Sequence, residues 1–256
     1  MPITVTALAV TPVKGMRLRA VDAVELDELG ARGNRAFYVI DEKRRLMNGK
    51  GAGAMQAVIA DYDVDAGELT FTFPSGQVAT GQVEYGDPIQ TNFFGSIYFA
   101  KELVGPWADA LSEFMGHPVR VVAPEIGTDR GRAGSVSLMS RASLRQLAHV
   151  ADSAPVDGRR FRMLIEVEGV EPHAEDDWVR HEVRVGRALI HWHGHVGRCA
   201  TTTRDPDSGQ VTFPTLHVIA AYRKEHPSEE PLPFGIYGEV LEGGRVQVGD
   251  EVEVVR

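Results

Sequence analysis

The first hundred residues alternate between short apolar runs and turn residues. Runs at 5–10, 21–26, 36–40, 55–64 and 68–73 are rich in Val, Ile, Leu, Phe and Tyr and are bounded by Gly, Pro, Asp or Asn, so they predict short β-strands. Asp65-Ala66-Gly67 and Pro74-Ser75-Gly76 supply turn chemistry between and after the last two. Strands of this length and spacing point to a barrel or curled sheet rather than to βαβ units. The period changes at 105–116. There Pro106, then Trp107, Leu111 and Phe114 at helical spacing, and a closing Gly116 and Pro118 predict a helix. A second helix is expected from Ser140, a good N-cap, with Leu144, Leu147 and Ala148 as its apolar stripe. A third is expected over 215–224 through Leu216, Ile219 and Ala220, ended by His226-Pro227. Further strands are expected at 161–167, 182–185, 188–193, 198–203, 236–241 and 251–255, which makes the class β-rich α+β. The polar, Arg/Gly-rich stretch 125–134 reads as an inter-domain connection or a binding loop.

Composition narrows the function classes. A chain of 256 residues accommodates one large domain or two ordinary ones, and 43% hydrophobic with 25% charged residues is the balance of a soluble globular protein. No run approaches the roughly 18 apolar residues of a membrane span, and the first residues lack the basic and apolar regions of a secretory signal. A single cysteine rules out an internal disulfide and is compatible with a reducing compartment, so a cytoplasmic location is expected. The net charge of −9 argues against nucleic acid or an anionic membrane as partner. It leaves room for a small anionic ligand held by a few converging cations.

The lone cysteine sits in the most informative segment. Cys199 follows Gly197 and the cationic Arg198 and precedes the turn Asp205-Pro206-Asp207-Ser208-Gly209. A neighbouring guanidinium favours a thiolate, and a bound metal does so more strongly. Taken alone, the simpler reading is a buried structural cysteine. Upstream, His191, His193 and His195 alternate and share parity with Cys199, so a straight strand would turn all four to one face. Two such imidazoles could hold zinc or iron, or one could serve as a proton donor; Gly194 and Gly197 are where that strand would bend.

Gly197-Arg198-Cys199, Thr202 and the following turn resemble the signature of the molybdenum-cofactor sulfurase C-terminal (MOSC) domain. The similarity continues in order along the chain: Pro12-Val13-Lys14, the 30–35 segment before Phe37-Tyr38-Val39-Ile40, Ser140-Arg141-Ala142-Ser143-Leu144, Phe161-Arg162, the 174–178 run and the 246–252 strands. Members of this kind include the amidoxime-reducing components and their bacterial counterparts. The resemblance implies an N-terminal β-barrel-like domain (1–120) followed by a MOSC β-barrel domain (121–256) with a few helices, and a molybdopterin-bound molybdenum between them. It implies Cys199 as metal ligand and catalytic centre, with Lys14, Asn34, Arg35, Arg162, Gly197 and Arg198 around the cofactor. Arg and Lys suit a pterin phosphate, and a soft thiolate suits a sulfur-ligated metal. The implied activity is reduction of small N-hydroxylated or N-oxide substrates. Its electrons would come from a separate redox protein, because one cysteine cannot build a four-cysteine iron–sulfur module. A cofactor or sulfur carrier using Cys199 is the alternative, and a metal-binding hydrolase or binding protein using the histidines is a third reading. The chain departs from the family pattern in having Met163-Leu164 for Pro-Asn, Asn34 for Asp, and Met47-Asn48-Gly49-Lys50 for Thr-Ala-Arg, with Lys50 in place of that arginine.

Overall fold

The computed structural model describes residues 2–125 and 131–255; residues 126–130 of the expected connection lie outside the described residues. Seven strands close a β-barrel. In order around it they are Ile165–Glu168, Val136–Ser140, Pro233–Glu242, Ala188–Gly197, Glu182–Val185, Glu251–Val254 and Ile3–Val10, and the last pairs back to the first. All neighbours are antiparallel except Val136–Ser140 with Ile165–Glu168. Alternate residues fill the interior, among them Leu8, Leu138, Ile165, Val183, Ile190, Trp192 and Ile236, so the barrel is a packed core with no channel. Strand Ile3–Val10 is thus built into a barrel whose other six strands all lie beyond residue 121, and the expected boundary at 120 does not part the sheets.

The intervening chain makes a second body with its own core. A four-stranded sheet orders Tyr38–Asp41, Val119–Pro124, Ser96–Val104 and Glu84–Phe93, and a three-stranded meander runs Ile59–Asp63, Glu68–Thr72, Val78–Gln82. Helix α1 (Trp107–Met115) packs here, ended by Gly116 at φ 73°, and the buried indole of Trp107 donates to the carbonyl of Leu69 at 2.8 Å. Helices α2 (Arg141–Val150) and α3 (Thr215–Arg223) cover one side of the barrel. The hydroxyl of Ser140 caps α2 by accepting from the amide of Ser143 at 3.1 Å.

Three expected strands are corrected. The 55–64 and 161–167 runs each begin in a 3-10 turn (Gly53–Ala57 and Gly158–Phe161), and 198–203 is a 3-10 turn at Ala200–Thr203. In the last case the Thr202 amide and hydroxyl both donate to the carbonyl of Cys199, at 3.1 and 3.0 Å, so local bonding by threonine wins over the sheet. The long hairpin of Glu84–Phe93 and Ser96–Val104 has no counterpart in the sequence expectations. Exposed apolar residues on it (Tyr85, Ile97, Phe99, Val104) blur the alternation that would have marked it.

Candidate functional site

A cleft of about 480 Å³ opens between the barrel and the four-stranded sheet. Five segments bring its walls together. Lys14 and Gly15 follow the first barrel strand, and Arg35 sits at φ 52° with its amide bonded to the carbonyl of Thr11 at 2.7 Å. The 48–50 loop and the hairpin tip with Phe93 and Phe94 form one side, and the turn carrying Arg160 to Met163 forms another. Arg162 takes φ 56°, a left-handed position that costs a residue with a Cβ about 1 kcal/mol or more. Its guanidinium bonds the carbonyl of Met16 at 2.6 Å, while its own carbonyl accepts from Arg35 at 2.7 Å, locking the two arginine loops across the cleft.

Cys199 stands at the head of the 3-10 turn and lines the cleft, half-buried, with its sulfur 3.5 Å from the hydroxyl of Thr201. The turn after it is held hard. The carboxylate of Asp205 accepts from the amides of Asp207 and Ser208 and from the Ser208 hydroxyl, which pulls its pKa below the ordinary carboxylate range. Arg159 grips Asp157 and Asp207 together. Gly209, at φ 71°, lies against the backbone of Gly53, where a Cβ would overlap the Gly53 carbonyl oxygen. Arg204 then ties the carbonyl of Gly209 (2.7 Å) to that of Lys50 (2.8 Å). The loop bearing Cys199 and the loop bearing Lys50 are therefore one rigid unit.

The charge pattern of the lining is one-sided. Lys14, Lys50, Arg35, Arg160, Arg162 and Arg198 border the cleft, and among the described residues no Asp or Glu does, on a chain of net charge −9. The six are not equivalent. The guanidinium of Arg198 points inward, donating to the carbonyls of Phe161 (2.9 Å) and Phe234 (2.8 Å) and touching the sulfur of Met163. Burial pushes its pKa down to about 9, still well above neutrality, so it stays charged. Arg198 shapes the site from behind.

Two other expected residues fall differently. Asn34 lies outside this cleft and accepts from the amide of Thr11 at 3.0 Å, fixing the approach to Arg35. Gly197 does border the cleft, but a Cβ there would meet the Glu230 carboxylate at 2.7 Å, so its smallness admits the neighbouring 230–231 segment. Arg160 was missed by sequence reasoning, although it belongs to the same Arg159-Arg160-Phe161-Arg162 run that pointed to Arg162. The Phe93–Phe94 hairpin tip was missed as well; Lys14 lies 5.8 and 6.0 Å from the two ring centres.

The shared face expected for His191, His193, His195 and Cys199 does not exist. Register slips between Trp192 and Gly194 and again between His195 and Gly197 rotate the strand, and Cys199 lies past its end. His193 meets Glu239 at 3.2 Å, His195 turns toward Asp176 and His226, and no histidine is among the described residues of the cleft. The acidic 173–177 run is half-buried, with Asp177 exposed and Glu175 turned into the interior. Glu175 is fully buried and accepts from the Ser140 amide and the Ser143 hydroxyl, and burial raises its carboxyl above the ordinary range.

Residues 127–253 match the model of the MOSC domain family. The chain is 25% identical over 287 residues to mitochondrial amidoxime reducing component 2 of Bos taurus, covering 97% of this chain and 82% of that protein. It is likewise 25% identical over 288 residues to mitochondrial amidoxime-reducing component 1 of Xenopus laevis, covering 97% of this chain and 81% of that protein. Over 139 residues it is 32% identical to a molybdenum cofactor sulfurase of Oryza sativa subsp. japonica, covering 46% of this chain and 16% of that protein. Among solved structures, the YUAD protein from Bacillus subtilis superposes with a TM-score of 0.47 at 12% identity, covering 99% of this chain and 96% of that chain. Among the described residues, no helix is long and apolar enough to cross a membrane.

Proposed function

From the premise that this chain is a MOSC-domain protein, we propose that its cleft binds the molybdenum cofactor and that the protein reduces N-hydroxylated or N-oxide compounds with electrons from a separate redox protein. The observation that carries the reading is the donor set: one thiol and the five cationic side chains of Lys14, Arg35, Lys50, Arg160 and Arg162 around a cleft with no carboxylate on its described walls. That set fits the group. The volume lies within the roughly 300–1,000 Å³ usual for small-molecule sites, a soft sulfur faces into it, and a phosphate would meet only positive charge.

Cys199 would be the protein's ligand to the metal, held in place by the 3-10 turn and the Asp205–Gly209 clamp. Lys14, Arg35, Lys50, Arg160 and Arg162 would bind the phosphate and the polar edge of the pterin, the arginines through planar forks and the lysines as point charges. When bound, the cofactor supplies the two-electron oxygen-atom chemistry that such a reduction needs. Phe93 and the exposed Phe94 border the cleft with aromatic side chains, which offers a planar substrate a stacking partner. Arg198 takes no part in contact; it holds the carbonyls of Phe161 and Phe234 so that the arginine turn keeps its shape.

Elemental analysis of protein made in a cofactor-producing host tests the reading. About one molybdenum per chain is expected in the wild type, with loss in Cys199→Ser. Reduction of an N-hydroxyamidine with an artificial electron donor is then expected of the loaded protein. A loaded but inactive protein would sink the reductase assignment. No molybdenum, but labile sulfur on Cys199, would instead establish a carrier.

A further inference from the structure

Behind the strand end that leads to Cys199, three side chains from distant parts of the chain converge beside α3. His195 comes from barrel strand Ala188–Gly197, Asp176 from the 3-10 turn Ala174–Trp178, and His226 from the residues after α3. The ring nitrogens Nε2 of the two histidines are 3.3 Å apart. His195 Nε2 lies 3.5 Å from Asp176 Oδ1, and His226 Nε2 lies 3.6 Å from Asp176 Oδ2. We propose that Asp176, His195 and His226 form a binding site for a divalent first-row transition-metal ion, separate from the cleft.

The geometry matches a coordination shell. Ligand atoms about 2.0–2.2 Å from a tetrahedral ion stand roughly 3.4 Å from one another; the separation between the two imidazole nitrogens and that from His195 to Oδ1 are of that size, and one ligand atom from each of the three residues lies within 4.8 Å of the other two. Two imidazoles and one carboxylate are a borderline N,N,O set of the kind that zinc and ferrous iron take, with coordination positions left for water or a small ligand. Hydrogen bonding alone leaves the cluster incomplete. One N–H can serve the contact between the rings, yet Asp176 Oδ1 is buried and makes no hydrogen bond among the described residues. An unshared carboxylate oxygen facing an imidazole nitrogen is what a cation between them would satisfy.

The surroundings hold the ligands in place. Arg223 donates to Asp176 Oδ2 at 2.6 Å and to the carbonyl of Pro233 at 2.8 Å, which fixes the carboxylate with Oδ1 turned toward His195. The side chains of Asp176, His195 and His226 are 9%, 12% and 27% exposed, so the site is sheltered while His226 keeps a path to solvent. The positive charge of Arg223 weakens affinity for any cation, while the two imidazole nitrogens favour ions that bind nitrogen well over magnesium or calcium.

Zinc titration of the metal-stripped full chain, followed by equilibrium dialysis and by thermal unfolding, tests the site. One zinc per chain is expected, with a rise in Tm. Replacement by cobalt should give the visible bands of a nitrogen-ligated ion. His226→Gln, the most exposed of the three, should weaken zinc at least tenfold and abolish the Tm shift, while Cys199→Ser should leave both intact. Asp176→Asn should behave like His226→Gln in dialysis. Absence of saturable zinc uptake by the wild type, or equal uptake by His226→Gln, would overturn the site. Loss of uptake in Cys199→Ser with retention in His226→Gln would move the ion to the cleft and overturn it equally.

Discussion

Two adjacent residues, His195 and Val196, belong to two very different places. Val196 borders the cleft, where cations gather without carboxylates, and His195 joins the enclosed cluster under α3, where Asp176 and Arg223 already neutralise one another. In the cleft the positive charge borders a space that a ligand can enter; in the cluster Arg223 is paired with a carboxylate. Arg198 shows that proximity does not decide the matter. It borders the cleft, yet its guanidinium belongs to the interior. Burial of the guanidinium among carbonyls, and not nearness to the cleft, marks Arg198 as structural.

The sharpest break of this comparison sets Arg198 against Lys50. Arg198→Ala leaves the carbonyls of Phe161 and Phe234 without their charged donor and opens a void; urea unfolding should show a loss of about 3 kcal/mol or more. Lys50→Ala, at an exposed position, should change stability by less than about 0.5 kcal/mol and appear instead as lower molybdenum content. Equal destabilisation in the two variants would erase the distinction. Next in size is Gly209→Ala. A side chain there must hold φ 71° and push against the backbone of Gly53, so a cost of about 2 kcal/mol is expected in the same measurement. Because Arg204 connects that turn to Lys50, molybdenum content should fall as well.

The smallest effect concerns Glu166, a carboxyl that alternates with the inward-facing Ile165 and Val167 and is covered from outside the barrel. Burial raises the carboxyl of Glu166 above its ordinary value of 4.5, despite the opposing pull of Arg141. The folded protein therefore keeps that proton longer than the unfolded chain does. Its contribution to stability is present at pH below 4.5 and is lost as pH rises through the raised value. Glu166→Gln should flatten that part of the Tm-against-pH curve, and an unchanged slope would remove Glu166 from the account.

The parts of the site visible in the sequence were those carried by contiguous residues. Cys199 and the Asp-Pro-Asp-Ser-Gly turn sit within one short loop, and the Ser140 cap is a local bond between residues three apart. Lys14, Arg35 and Arg162 reached the cleft because a resemblance along the chain identified their segments. What stayed hidden was side-chain direction. Nothing in Gly197-Arg198-Cys199 reveals that the guanidinium finds two buried carbonyls, and the alternation of His191, His193 and His195 was undone by two bulges whose registry depends on Pro233–Glu242 across the sheet. Asp176 and His226 come from opposite sides of two intervening strands and a helix, so only the fold unites them.

The closure of the barrel by Ile3–Val10 has a bearing on how the chain reaches this state. Leu8–Val10 meets Arg19–Val21 early, but Thr4 pairs with Glu168 and Glu251 and Ile3 with Val252, so this strand can close the barrel only once the last strand has been made. Until then its apolar face must wait, and contacts of such long sequence separation form slowly. The intervening sheets and α1, whose contacts are more local, are free to assemble in the meantime. The apolar face of this strand is therefore exposed for as long as the last strand is missing, which makes late barrel closure the stage at which the chain is most open to aggregation.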